Sequence, residues 1–467
     1  MIFSDLFFLY LFLPLCLICY YVTKNPRFRN AVLIVFSLIF YAFGEPKWIL
    51  LLLFISVNDF FLAKGIAKYR GKTAGKVLLG AGLIFDIVLL LFFKFSGPIL
   101  GFTDKLFGAS TDASNFLLPV GLSFFLFKSI SYLLDVTWEK VEPEKNYFRY
   151  LLYISLFTQV VAGPIVRYAD VETELLDRSA TSEDLNQGVN RIVAGLAKKV
   201  IIADNLLPAA DDLLGEALPD TAVVGVWLGV LFYTLYVFYD FAGYSDMAIG
   251  ISRLFGFHIK ENFNYPFVCR TIAEFWQRWH ISLGSFFRDY LLYVPIFGEP
   301  RKYAGLFLVW FSTGLWHGSH WNYIIWGLYF GVFILIETLI GKKKLKKVPT
   351  WIMHIYTKLV LILGFGIFRF EKLSDLGLFF KGLVGLNGNG FIDEFAKSAF
   401  IQNAVLLALG ILFCFPIVPK LQEKCMENEK LRPVCGTLTI VLNAVLLIAC
   451  SILLVNASSH PFLYANY

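Results

Sequence analysis

Two runs decide how this chain reads: EFWQRWHISLGSFFRDYL (Glu274–Leu291) and LVWFSTGLWHGSHWNYIIW (Leu308–Trp326). They set His280, His317 and His320 among tryptophans, glycines and long apolar segments. An ionisable side chain inside a membrane-embedded segment is by default a functional-site candidate. Gly314 and Gly318 bracket His317, so another element can come close there. A desolvated imidazole stays neutral and can take a proton from a hydroxyl as that oxygen attacks a carbonyl. The alternative for His317 is a buried ring that bridges two helices through hydrogen bonds. The run around His280 is amphipathic and too charged to span, which places it at depth beside a polar cavity. His280 could orient a substrate or stabilise an oxyanion, or it could belong to an interfacial aromatic belt. Arg278, Arg288 and Asp289 could equally pair within the protein.

The chain around these runs is that of a polytopic membrane protein. Of its 467 residues 58% are hydrophobic and only 16% charged, and mean hydropathy is +0.66. Soluble domains carry about 25% charged residues. A net charge of +6 is modest and local, with no nucleic-acid signature beside it. Seven cysteines give no framework. Cys16 and Cys19 form a C-x2-C inside an apolar run, without the further ligands that zinc needs. The first apolar run has no basic n-region or small-residue cleavage site, so it is expected to be the first membrane helix.

A spanning helix needs about 20 apolar residues. Twelve candidate segments follow: Leu6–Val22, Ala31–Phe43, Trp48–Ile66, Val77–Phe93, Phe116–Leu134, Tyr150–Ile165, Val223–Phe241, Tyr303–Leu315, Trp321–Ile340, Ile352–Phe368, Phe400–Val418 and Val434–Val455. Several are short or broken by Gly or Pro, which suits helices that stop partway or re-enter. Basic clusters at Lys24–Arg29, Lys64–Lys76 and Lys342–Lys347 mark cytoplasmic loops and put the amino terminus outside. The last cluster could also touch anionic lipid or an acidic cytoplasmic partner. Ser182–Asp212 is more polar and reads as interfacial or half-inserted.

No P-loop, Gly-x-Gly-x-x-Gly or Gly-x-Ser-x-Gly pattern occurs, so neither nucleotide hydrolysis nor a covalent serine intermediate is suggested. Two histidines three apart, His317 and His320, could ligate a metal, but no third ligand is evident. His258, His354 and His460 sit near segment ends and read as structural. Tyr239, Asp240, Ser245 and Asp246 in YDFAGYSDMAIG are expected at a helix break, capping backbone groups or lining the cavity.

At these residues the chain resembles the membrane-bound O-acyltransferase family, in its bacterial alginate O-acetylation branch. The similar segments are LPVGLSFFLFKSISYLLDV (Leu118–Val136), VAGPIVRY (Val161–Tyr168), GLAKKVIIADNL (Gly195–Leu206), YDFAGYSDMAIG (Tyr239–Gly250), Glu274–Leu291 and LWHGSHWNYIIWG (Leu315–Gly327), with both ends of the chain. The resemblance implies one all-α membrane domain over 1–467: a ring of about 11–12 tilted helices, with re-entrant pieces, around a central funnel. Its motif-rich core would be about 115–330, flanked by peripheral helices over 1–114 and 350–467. It implies that His317 is catalytic and His280 assists, with Trp276, Arg278, Trp279, Trp316, Asp240 and Ser245 as candidate substrate contacts. The implied reaction moves an acyl group, acetyl in this branch, from a cytoplasmic thioester to an extracytoplasmic polysaccharide. No cofactor is expected. The donor, acetyl-CoA or an acyl carrier, is a substrate. Expected partners are an extracytoplasmic acetyltransferase-like protein, a cytoplasmic donor protein and membrane lipid, with no nucleic acid. The expected location is the bacterial cytoplasmic membrane. Rival readings are D-alanyl transfer to teichoic acid and a transporter or flippase using the same cavity.

Three departures from the family pattern stand out. Lys128 replaces a polar uncharged residue and needs a carboxylate or must snorkel. LLYVPIFGEPRK (Leu291–Lys302) stands where YIPLGG is common, and His320 where a small residue is common.

Overall fold

A computed structural model describes residues 1–108, 118–292, 301–456 and 462–463. Among these residues the regular structure is helical, with no strand. In chain order the helices are α1 (Leu13–Tyr21), α2 (Pro26–Gly44), α3 (Ile49–Lys68), α4 (Thr73–Phe107), α5 (Leu122–Thr137), α6 (Tyr147–Ser155), α7 (Phe157–Val160), α8 (Tyr168–Leu176), α9 (Ser182–Ala197), α10 (Asp204–Leu214) and α11 (Val223–Leu254). They continue as α12 (Ile272–Trp276), α13 (Ile281–Tyr290), α14 (Lys302–His317), α15 (Trp321–Ile340), α16 (Lys342–Leu345), α17 (Thr350–Arg369), α18 (Leu373–Leu383), α19 (Glu394–Leu412), α20 (Ile417–Glu427) and α21 (Leu431–Asn456).

Among the described residues, eight helices are long and apolar enough to cross a bilayer: α2, α3, α4, α11, α15, α17, α19 and α21. The other expected spans are shorter. At about 1.5 Å per residue, the 16 residues of α5 or α14 fall short of a core about 30 Å thick. Tyr150–Ile165 is split into α6 and α7, with irregular backbone around Gly163 and Pro164. The expected span Phe116–Leu134 begins outside the described residues, as do His460 and most of the Leu291–Lys302 loop.

Two boundaries differ from the sequence reading for identifiable reasons. α2 begins at Pro26, not Ala31, because Asn25 accepts a hydrogen bond from the Arg27 N–H (2.9 Å) and Pro26 takes the first helical position. The expected break at Tyr239–Asp246 does not exist, since α11 runs unbroken through it for 32 residues. Its glycines serve close approach instead. A methyl on Gly243 would lie 2.7 Å from the Gly195 carbonyl oxygen, and one on Gly250 2.7 Å from that of Gly188. Backbone meets backbone there, as small residues permit in membranes.

The chain forms two compact units, and it passes from one to the other within α9 and α11. The first comprises Met1–Val193 and Tyr244–Glu261, with Phe462 packed on Tyr244 at 4.9 Å between ring centroids. Its α5 is buried along nearly its whole length. Lys128 there neither snorkels nor meets a carboxylate. It donates to the Tyr153 carbonyl and to Gln159 Oε1 (2.9 Å) and lies over the Tyr153 ring. Neutral acceptors and an aromatic face are available at that depth, whereas the stem cannot reach water from a fully packed helix.

The second unit comprises Ala194–Gly243 and the chain from Asn262 through α21. It carries both candidate histidines. A π-helical segment, Lys198–Ala203, joins α9 to α10 and buries Lys199 between Asp204 and Asp240, each 2.7 Å away. The half-inserted element expected at Ser182–Asp212 thus has one of its lysines locked in an ion triad.

Candidate active site

α14 and α15 pack backbone to backbone. A methyl on Gly327 would stand 2.4 Å from the Trp310 carbonyl oxygen, and one on Gly314 2.6 Å from that of Tyr323. Such contacts admit only glycine and fix the turn between the helices. His317 is the last residue of α14, and the half-exposed Gly318 and Ser319 follow it. Its imidazole is 4% exposed and ringed by aromatics. Trp316, Trp326 and Phe368 lie with ring centroids 4.6, 4.7 and 5.0 Å away, and Tyr323 stacks at 6.3 Å. Asn322 pins this corner to α17 by donating to the Phe368 carbonyl at 3.1 Å.

α12 and α13 are too short to cross, and α12 packs along α15. At the foot, the buried Glu337 carboxylate of α15 accepts the N–H of Ile272 (2.6 Å) and of Ala273 (2.9 Å), capping α12. Higher up, Trp276 packs on Phe330 (5.0 Å) and Trp326 (5.6 Å). Above that the chain turns sharply at His280, whose φ of +44° is the left-handed region. A non-glycine residue held there needs support from its surroundings.

Asn262 supplies that support. Its main-chain carbonyl accepts the Ile281 N–H (2.9 Å). Its Oδ1 accepts the Ser282 N–H (3.2 Å), the Ser282 hydroxyl (2.8 Å) and His280 Nδ1 (3.1 Å). A backbone N–H can only donate, so the amide orientation is fixed and His280 Nδ1 carries hydrogen. A neutral ring bonded this way presents Nε2 as an acceptor. That suits orienting a hydroxyl, whereas oxyanion stabilisation would require the imidazolium. Phe241 meets the His280 ring edge-on at 4.6 Å. Trp316 lies 6.1 Å from it, so one indole stands beside both imidazoles.

Of the other sequence candidates, Trp276 and Trp316 join this cluster. Trp279 is buried but packs in the next aromatic group, stacked on Phe275 at 5.3 Å. Arg278 faces outward and pairs with Glu274 (3.1 Å) and the Asn264 carbonyl (3.2 Å). Asp240 is engaged by Lys199. Ser245 is buried in the other unit. His320 is exposed at the start of α15, with Nδ1 3.8 Å from Glu371. Among the described residues, no three His, Cys, Asp or Glu side chains gather as a metal would require. Asn262, Trp326, Phe368 and Glu337 were not singled out in sequence. Asn262 and Glu337 are lone polar residues whose roles depend on partners 18 and 64–65 positions away.

A cavity of about 480 Å³ opens at the foot of α12. Arg270, Lys302, Lys342 and Lys346 line it, against the carboxylates of Glu274 and Glu337, with Gln277 on the wall next to Trp276. Neither histidine lines it.

The second unit thus holds an enclosed histidine at one end of α15 and a basic cavity at the other. Residues 120–371 match the membrane-bound O-acyltransferase family, and the chain belongs to that family. It is 36% identical to the probable alginate O-acetylase AlgI of Pseudomonas aeruginosa over 80% of this chain and 73% of the relative. It is 29% identical to the peptidoglycan O-acetyltransferase of Helicobacter pylori over 100% of this chain and 98% of the relative. It is also 29% identical to the teichoic acid D-alanyltransferase of Bacillus subtilis, over 65% of this chain and 79% of the relative. The protein is therefore a membrane O-acyltransferase, a multi-pass protein of the bacterial cytoplasmic membrane.

Proposed function

We propose that this enzyme takes an acetyl group from a thioester on the cytoplasmic side and passes it to a hydroxyl destined for an extracytoplasmic polysaccharide, with His317 as general base. The observation that carries the reading is the placing of His317 and the basic cavity near opposite ends of α15. Twenty residues at about 1.5 Å each separate those ends by about 30 Å, the thickness of the bilayer core. The Lys342–Lys347 cluster supports a cytoplasmic position for the cavity end. From the cavity wall an aromatic series, Trp276, Trp326 and His317, leads along α15.

The cavity's four basic side chains suit the phosphates of acetyl-CoA or of an acyl carrier's phosphopantetheine. Glu337 is committed to capping α12, which leaves the balance positive. In the transfer, the acceptor oxygen bonds to the thioester carbonyl carbon and its proton passes to the His317 imidazole. The carbon–sulfur bond then breaks, and the thiolate recovers a proton. A thioester is already activated, so alignment and a base suffice. His280, fixed by Asn262, orients the acceptor hydroxyl. An extracytoplasmic acetyltransferase-like protein would carry the group on to the polymer.

D-alanyl transfer is the second reading, favoured by the likeness to the D-alanyltransferase. The two alginate- and peptidoglycan-acetylating relatives align over more of this chain. Membership of an acyltransferase family argues against a transporter. The test is free thiol released by purified protein from acetyl-CoA, compared with a D-alanyl carrier thioester. We expect release from acetyl-CoA, reduced about 10²–10⁴-fold in His317→Ala with membrane insertion unchanged. Undiminished release in that variant would remove the base assignment, and release from the carrier alone would move the enzyme to D-alanylation.

A further inference from the structure

The first unit holds a polar constellation inside its membrane helices that acyl transfer does not use. Asp59 on α3 and Asp86 on α4 are both fully buried. From α5, the Ser129 hydroxyl stands between them, donating to Asp86 Oδ2 at 2.7 Å and lying against Asp59. From α6, the fully buried Tyr150 points its hydroxyl at Asp59. Gly82, one turn before Asp86, draws the helices together, since a methyl there would meet Leu62 and Leu133 at 3.0 Å.

Hydrogen donors are scarce in this cluster, and among the described residues no cation faces its two carboxyls. Asp59 Oδ2, Asp86 Oδ1 and the Tyr150 hydroxyl are buried and complete no hydrogen bond among the described residues. Ser129 has one hydroxyl hydrogen and gives it to Asp86. Asn58 Nδ2 donates to Asp59 Oδ1 at 3.3 Å. A bond between Asp59 and the Ser129 oxygen therefore forms only with Asp59 as the donor, its carboxyl protonated. Two ionised carboxylates one serine apart in hydrocarbon would repel each other without solvent to compensate. Lys128, beside Ser129 in sequence, spends its donors on Tyr153 and Gln159. Tyr132 of α5 and Tyr150 of α6 also face the pair, and the Tyr132 hydroxyl accepts the Glu144 N–H at 2.8 Å.

We infer that Asp59, Ser129 and Asp86 form an intramembrane proton-binding site, in which one proton is shared between the two carboxyls through the serine hydroxyl. With the proton on Asp59, its O–H donates to Ser129 and the serine O–H donates to the Asp86 carboxylate. Reversing both bonds moves the proton to Asp86 with no charge separated. Tyr150 donates to the outer oxygen of Asp59. The proton comes from solvent, and nothing is oxidised or reduced.

Infrared spectra of the full chain in lipid vesicles at neutral pH test this. The wild type should show a carboxylic-acid carbonyl band that shifts in D2O. Asp59→Asn and Asp86→Asn should each remove that whole band, because the proton belongs to the pair, and Ser129→Ala should shift its frequency. Two bands, each lost with a different aspartate, would mean independent acids and overturn the sharing. A band abolished by sodium at constant pH would mean a cation site and also overturn it. Should either Asn variant fail to fold, carboxyl-13C-aspartate labelling of the wild type reads the same band, and its absence at neutral pH would end the proposal.

Discussion

The two imidazoles of the second unit are held in opposite ways. His280 is held by hydrogen bonds: Asn262 fixes its tautomer, its backbone turn and the start of α13. His317 is held by shape, within aromatic rings whose position follows from glycine contacts between α14 and α15. A ring pinned by hydrogen bonds has its protonation pattern set in advance. A ring set among aromatic faces depends on those faces being in the right place. The difference fits the separate tasks proposed for them, orienting for His280 and proton acceptance for His317.

The largest effect should come from disturbing the cage. Gly327→Ala places a methyl 2.4 Å from the Trp310 carbonyl, so α14 and α15 must part. We expect about 1–3 kcal/mol of destabilisation together with loss of acyl transfer, read by thermal melting in detergent and by thiol release. Wild-type values for both would show that the close approach does not position His317.

A smaller and more specific effect is expected at the other ring. Asn262→Asp keeps all the acceptor bonds but adds a negative charge that favours the imidazolium of His280. If the neutral ring orients the acceptor, the acid limb of the pH–rate profile should move up by about 1 unit or more, with melting little changed. An unmoved profile would reduce Asn262 to a purely structural residue.

The smallest effect concerns a third histidine, in the first unit. His258 lies between two carboxylates, with Nδ1 2.9 Å from Glu174 and Nε2 2.9 Å from Asp184. Its proton is held above the ordinary imidazole value, first by the Glu174 hydrogen bond and then by Asp184. Asp184 is pushed down to about 2, chiefly by the Thr181 backbone N–H. The folded state thus binds the His258 proton more tightly than the unfolded state. That contribution is complete below about pH 6.5 and is lost as pH rises through the higher folded value. Asp184 acts in the other direction: its contribution is present above about pH 3.9 and is lost as pH falls towards 2. His258→Gln should flatten the decline of melting temperature above neutrality. The size should be no more than about 1 kcal/mol, because the side chain is half exposed and screened. An unchanged slope would leave the latch without energetic weight.

How far the sequence could be read varies with the kind of interaction. Trp321–Ile340 was delimited to the residue, because a long apolar run between a polar turn and a lysine cluster has only one reading. Ala31–Phe43 was cut short because Arg27, Arg29 and Asn30 look like loop until their buried partners are known. Asn30, for example, donates to the Leu175 carbonyl at 2.9 Å and accepts from Arg178 at 2.6 Å. The FAGYSD stretch was misread as a break because glycine looks the same whether it ends a helix or admits a neighbour. Trp276 and Trp316 were legible as part of an aromatic run holding two histidines. Arg278, in the same run, lies in the turn after α12, half-exposed and paired with Glu274, a placement that periodicity alone does not fix.

Composition and apolar run lengths determined, without coordinates, that this is a helical membrane protein, and the motifs around His280 and His317 pointed to O-acyl transfer through their resemblance to a known family. The first of these follows from chemistry that is local along the chain. Only the tertiary structure decided that Trp316 stands beside both imidazoles, that Asn262 fixes one of them, and that Asp59 and Asp86 converge on Ser129. Each of these depends on which helix faces which at a given depth, and that depends on packing between segments tens to hundreds of residues apart.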